Sequence, residues 1–296
     1  MTESRIPLPR QGSGPIDWEL LFCSHVLGLR SLHWGVWEDG APTTLDGLRT
    51  AQARFTAKLL AAIPEGVRTV LDVGCGMGDN AAALAARGYQ VTCIAPIANY
   101  ADHLATMRDT GVSFVQAKIE GFGSDTPFDL VFMSESCGYF TPEVAFEKSW
   151  RLLKPDGHLL VCNMFRREPV SMKVARHLLS DFLRQACTSG FRVVLDEDIT
   201  RSTLPSLRLA MSLWEGHGAP ALALGAFYLE SASWRTRLAF RLAKRFFARE
   251  LARAKKSLET YREQLDPELV GRYACYKLLV FRKDEDLRAT AHRSNG

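Results

Sequence analysis

Apolar positions recur every three to four residues from Trp18 to Leu29, a spacing that predicts an amphipathic helix after a Pro-, Gly- and Ser-rich arm. A loop of sequence LHWGVWEDGAPTT follows, and Thr44 at its end is a helix N-cap candidate. Beyond it Leu45, Leu48, Ala51, Phe55, Leu59 and Leu60 fall on one helical face, closed by Pro64-Glu65-Gly66. From there the rhythm changes to short apolar runs separated by helical stretches. The predicted strands are Thr69–Val73, Gln90–Ile94, Ser113–Gln116, Phe128–Ser134, His158–Met164 and Phe191–Asp196. After Thr200 the alternation gives way to a long, mostly helical segment reaching about Leu265, and one last strand-like stretch runs from Tyr273 to Phe281. The pattern predicts an α/β fold, doubly wound, with a mostly parallel seven-stranded sheet and an α-helical cap inserted before the last strand.

The expected organisation is an N-terminal arm and helical lid over 1–66, a Rossmann-like core over 67–200, the cap over 201–268, the last core strand over 269–285 and a loose tail over 286–296. The chain of 296 residues carries 37 basic and 33 acidic side chains, and the resulting net charge of +4 excludes a nucleic-acid packaging protein or an acidic disordered chain. With 47% hydrophobic residues there is ample material for a core. The seven cysteines are scattered, with no CxxC spacing, so neither a disulfide framework nor a zinc site is expected and a reduced, cytoplasmic setting is. The N-terminus lacks the apolar stretch of a signal peptide, and the longest apolar run, Ala219 to Leu229, is too short to span a bilayer.

The most informative string is Leu71-Asp72-Val73-Gly74-Cys75-Gly76-Met77-Gly78-Asp79-Asn80, between the first predicted strand and a helix. Glycines at alternate positions let the backbone turn sharply and approach a ligand where a Cβ would collide. Amide groups at the helix start can hold a carboxylate, and Asp72 at the strand end can face an ammonium. A dinucleotide fingerprint would place Gly or Ala where Asp79 stands and an acid after the second strand, where Ala95-Pro96 stand, so nicotinamide binding is disfavoured.

LDVGCGMG in this strand–loop–helix setting resembles motif I of class I S-adenosylmethionine (SAM)-dependent methyltransferases. Phe128-Asp129-Leu130-Val131-Phe132 looks like that family's fourth strand, and Trp150 to Leu159 (WRLLKPDGHL) like its helix–turn–fifth strand signature. His33-Trp34-Gly35-Val36-Trp37-Glu38, the stretch Gly190 to Thr200 and the cap resemble the tocopherol, sterol, cyclopropane-fatty-acid and small natural-product branch. The resemblance implies SAM as cofactor, S-adenosylhomocysteine as product, no metal, and a small, lipophilic acceptor rather than nucleic acid. It also implies cofactor contacts at Asp72, Gly74, Cys75, Gly76 and Gly78, and at Ser134 after the fourth strand. Two departures stand out. No acid follows the second strand to grip the ribose, so those contacts would fall to Ala95, Pro96 or the side chains of Asn99 and Tyr100. Lys118 stands where an acid commonly meets the adenine amino group, leaving that role to the backbone of Ala117, Lys118 and Ile119 and to Glu120. The alternative these departures motivate is a SAM-binding protein without methyl transfer.

A sulfonium methyl is already electrophilic, so the protein has to align the acceptor and exclude water, with a base where the acceptor carries a proton. Ligands of open α/β sheets lie beyond the carboxyl ends of the strands, which puts Glu135 and Tyr139 beside the reacting methyl. Each has a structural alternative, a carboxylate holding the loop and a packing ring. His33 is a third catalytic candidate, with an unperturbed pKa near ~6.5. Trp34, Trp37, Tyr100 and His217 are candidate acceptor contacts; the alternatives are a lid that only packs and, for His217, an exposed loop histidine.

From Ser233 to Lys256 the chain holds nine basic residues against one acid, Glu250, a local charge of +8. At ~100° per residue its apolar and basic residues separate into two arcs, which predicts an amphipathic helix. Either the apolar arc docks on the core and lines the acceptor pocket, or the helix lies peripherally at an anionic membrane surface.

Overall fold

The computed structural model describes residues 18–29, 31–97, 104, 110–169, 175–246, 248–249, 252 and 266–294. Helices α1 (Trp18–His25) and α2 (Leu45–Ala61) precede the sheet. The core then runs β1 (Thr69–Val73), α3 (Asp79–Ala85), β2 (Gln90–Ala95), β3 (Val112–Gln116), β4 (Phe128–Ser134), α4 (Pro142–Leu152), β5 (Leu153–Arg166), α5 (Leu179–Thr188) and β6 (Phe191–Asp198). Next come α6 (Thr200–Leu213), a π turn (Trp214–Gly218), α7 (Ala219–Ser231), α8 (Trp234–Phe246) and α9 (Pro267–Tyr273), and the chain ends on β7 (Ala274–Lys283) and α10 (Glu285–Ser294).

The strands form one seven-stranded sheet in the order β3-β2-β1-β4-β5-β7-β6. All neighbours are parallel up to β5, whereas β7 runs antiparallel to both β5 and β6. The order reverses beside β1, and that switch point opens a crevice at the carboxyl ends of β1 and β4. The central strands are apolar on both faces because helices cover both, as Leu71, Val131, Leu160 and Val161 show by their complete burial. Thr44 caps α2 as expected, its side chain accepting from the Gly47 amide. At the opposite end of the sheet Asp129 ties β4 to β1, accepting from the Arg68 and Thr69 amides and from Lys154. Burial opposes its charge, but these donors win and hold its carboxyl at about 2.

The segment before α2 is pinned between α2 and the cap. The Val36 amide donates to Ala51 O at 2.8 Å, the Trp37 amide to Ser202 O at 2.9 Å, and the Trp37 indole to Ser206 Oγ at 2.7 Å. Buried Gln52 donates to the carbonyls of both Ser31 and His33 at 2.9 Å. The approach is so close that a Cβ on Gly35, whose φ is +76°, would lie 2.8 Å from the Ala51 backbone.

Between β6 and β7, α6 is rooted by buried Thr203, Leu207 and Leu209. Its helical conformation continues through the π turn into α7. α7 has no buried residue. On α8, Leu238 and Phe246 are exposed, so at these positions the apolar arc does not dock on the core. No described helix is long and apolar enough to cross a membrane.

Candidate functional site

A cleft of about 700 Å³ opens at the carboxyl ends of β1, β2 and β4, a size within the usual range for small-ligand sites. The glycine loop forms its floor, with Gly74, Gly76 and Gly78 at φ of +75°, +52° and +82°. These left-handed conformations favour glycine, and Gly78 starts α3 from one. Gly74 also meets the loop after β4, since a Cβ there would lie 2.6 Å from the Ser136 Cβ. Nothing lies within 4 Å of a Cβ on Gly76. The two glycines therefore serve different ends, Gly74 letting two loops touch and Gly76 leaving the backbone open to a ligand. Accordingly, Gly76→Val is expected to fold with roughly 1–3 kcal/mol less stability from backbone strain, and to bind SAM at least tenfold more weakly because its side chain fills the approach. Gly74→Val is expected to lower the melting temperature as well. Calorimetric titration with SAM beside thermal melts checks both, and undiminished affinity in Gly76→Val would remove the floor from the site.

The cleft brings together most of the predicted residues. Gly74, Cys75, Gly76, Ala95, Pro96, Lys118, Ile119, Glu120 and Ser134 line it on the cofactor side, and His33, Trp34, Glu135 and Tyr139 on the other. Four predicted contacts fall elsewhere. Asp72 is buried behind the loop, and Gly78 shapes the turn without facing the cleft. Trp37 is buried against Ala51 and Leu209, its indole committed to Ser206, so it fixes the cap to α2 and is corrected from acceptor contact to structural tie. His217 is exposed in the π turn, away from the cleft lining. Tyr100 and Asn99 lie outside the described residues. A more open hollow at the cap root, walled by Arg208, Glu215 and Asp266, shares no residue with the cleft.

Glu135 has a φ of +55°, one of two such non-glycine positions among the described residues. A left-handed glutamate stores strain, which persists only where its surroundings enforce it. Its amide donates to Cys162 O at 2.8 Å, continuing the β4–β5 ladder, and the Tyr276 hydroxyl donates to its Oε1. Burial, together with the Glu135 charge, pushes the Tyr276 phenol well above its ordinary range, so it remains a donor. Tyr276 was not among the predicted site residues. It lies on β7 inside an apolar strand, and its one sequence signal is a polar ring in a run otherwise suited to the core.

An aromatic column joins this pair to the lid. The Tyr276 ring meets Phe55 edge-on with centroids 6.1 Å apart, and Phe55 stacks on His33 at 4.4 Å. Burial lowers the His33 pKa to about 4, so its imidazole is neutral near pH 7. Burial likewise raises Asp72 to about 7. His33 Nδ1, Asp72 Oδ2 and Ser136 Oγ are buried with no hydrogen-bond partner. Buried polar atoms normally find partners, and since His33 and Ser136 line the cleft, their orphaned atoms suit a ligand that carries polar groups. Among the described residues no group of three or more His, Cys, Asp and Glu side chains could hold a metal ion.

Residues 71–161, from the middle of β1 into β5, match the family model of a methyltransferase domain. No curated protein matches the chain in sequence. Among solved structures the chain is similar to the [4+2]-cyclase SpnF, at 21% identity over 86% of this chain and 87% of that one, with a TM-score of 0.62. It is also similar to geranyl diphosphate C-methyltransferase from Streptomyces coelicolor A3(2), at 16% identity over 88% and 92%, TM-score 0.62. A third similarity is to the cyclopropane synthase MmaA2 from Mycobacterium tuberculosis, at 16% identity over 85% and 90%, TM-score 0.60. At such identities the likeness establishes the fold. The domain match identifies residues 71–161, which hold the glycine loop, as a methyltransferase domain. The cleft-lining orphans on His33 and Ser136 and the open Gly76 backbone fit SAM, the group that the glycine-loop resemblance implies.

Proposed function

We propose that this protein methylates a small, hydrophobic acceptor and that Glu135 takes up the proton the acceptor loses. The observation that carries this reading is the Glu135 carboxylate on the cleft wall, held in a strained conformation by the β5 backbone and the Tyr276 hydroxyl. Bound SAM supplies an electrophilic methyl group. Trp34, Phe140 and Tyr139 provide apolar surface on the acceptor side and exclude water from the reacting centre. The cleft would hold SAM with its methyl toward Glu135 and Tyr139, so that an acceptor aligned there would receive the methyl in line and Glu135 would take the proton the acceptor loses. Neutral His33 lies on the same wall as a second proton acceptor for an oxygen or nitrogen nucleophile. A geranyl diphosphate C-methyltransferase and a cyclopropane synthase among proteins of this fold support a lipophilic acceptor.

Incubation with methyl-labelled SAM and fractionated cell extract, followed by solvent partition, tests the proposal. Label in the organic phase is expected. Label only in the aqueous phase would replace the hydrophobic acceptor by a polar one, and SAM binding with no transfer to any fraction would favour a non-catalytic binding protein.

A further inference from the structure

The acceptor reading makes no use of the cap's outer half, which has an unusual surface. Between Glu215 and Glu230 the chain carries no Asp, Glu, Lys or Arg, and the helix it forms there is apolar all round. Such a helix ordinarily lies inside a protein core. Here Leu222, Leu224, Phe227 and Tyr228 of α7, with Trp234 and Phe246 of α8, are 61–79% exposed. An apolar surface of this kind marks an interaction site.

The charge beside it identifies the partner. Residues 233–256 carry a net +8, so twice the chain's overall +4 is concentrated in a stretch that starts at the α7–α8 turn. A second copy of the chain seated on this surface would bring another +8 segment against the first. An anionic surface with an apolar interior matches both features at once. α7 continues α6 out of the core, so its 13 residues, about 20 Å at 1.5 Å per residue, can lie along a membrane surface with their apolar side chains in the outer leaflet. Tyr228 and Trp234 lie toward the polar end of that run, where amphipathic rings favour the headgroup level. The Arg235 guanidinium lies over the Trp234 ring at 5.5 Å, placing cation and aromatic together at that level.

We infer that the α7–α8 pair is a membrane-surface contact, with α7 lying along one leaflet of an anionic bilayer and the basic residues that follow Ser233 among the headgroups. Binding is read without turnover, so this inference and the proposed acceptor fail independently.

The test is flotation of the full chain with vesicles of phosphatidylcholine alone or containing about one-third phosphatidylglycerol, with light scattering of the lipid-free protein alongside. Flotation with the anionic vesicles, weakened by salt, is expected. Leu224→Glu/Phe227→Glu should abolish it. Arg245→Gln/Arg249→Gln should weaken it about 25-fold, roughly fivefold for each cation removed from the surface. None of these residues lines the cleft, so unchanged SAM affinity in both variants verifies their folding. Absence of flotation on either vesicle would overturn the inference. So would a stable wild-type dimer that Leu224→Glu/Phe227→Glu converts to monomer, which would assign the surface to a second copy.

Discussion

Glu135→Gln is expected to lower kcat by about 10²–10⁴-fold, the usual contribution of a positioned acid or base, while SAM affinity stays within about twofold. Glutamine keeps the size and the acceptor oxygen that Tyr276 requires, so the strained loop and the cleft wall should survive. What is lost is the ability to take a proton. Tyr276→Phe is expected to act in the same direction but less, by about 10–100-fold, because it removes one hydrogen bond to a charged group. Single-turnover assays with labelled SAM, beside cofactor titrations, separate transfer from binding. Full turnover in Glu135→Gln would reduce Glu135 to a loop-holding carboxylate and move the proton transfer to His33.

The second large effect is on stability against pH in the SAM-free protein. Asp72 has a pKa of about 7 in the fold against 3.8 for the free side chain. Between these values the unfolded chain has released the proton while the folded one keeps it, so stability falls as pH rises, by about 4 kcal/mol in all. His33 behaves oppositely, with about 4 in the fold against 6.5 when free. Between those values the unfolded chain holds a proton that the folded one lacks, so stability rises with pH, by about 3 kcal/mol. The two slopes overlap and largely offset. Their sizes emerge when one is removed: Asp72→Asn should gain stability from pH 4 to 6.5, and His33→Phe, which retains a ring against Phe55, should lose it from pH 4 to 7. Urea denaturation across pH 4–8 checks this, and profiles parallel to wild type in both variants would mean that neither group is held away from water.

The elements of the core were legible because each is coded locally. Thr69–Val73 and Phe128–Ser134 were predicted to the residue, since apolar runs flanked by a glycine loop and by polar turns have sharp ends. β5 begins at Leu153, five residues before the predicted His158, since Leu153 pairs with Phe128 across a register shift that spacing cannot reveal. The predicted last strand began at Tyr273, which instead closes α9. The antiparallel course of β7 is likewise invisible locally, because side-chain alternation is identical in both directions.

In the site, the glycine loop was legible because glycine is demanded by backbone geometry, which is a property of the chain itself. The Tyr276–Glu135 bond and the column through Phe55 to His33 were not, because they join residues from four separate stretches of the sequence. Trp37 shows the limit most plainly. It shares one short string with Trp34, yet Trp34 faces the cleft while Trp37 turns into α6, and the difference arises from Ser206, 169 positions away.

The π turn at Trp214–Gly218 has a consequence for the direction of the cap. A π turn holds one residue more than the α-helical register, and one residue is worth about 100° of rotation about the axis. α7 and α8 are therefore carried round by about that angle relative to the course an uninterrupted α6 would set. The side of the molecule on which the basic helix emerges is a matter of phase. Deleting His217 alone would restore the α register and swing α7 and α8 to another side of the core while leaving their composition untouched.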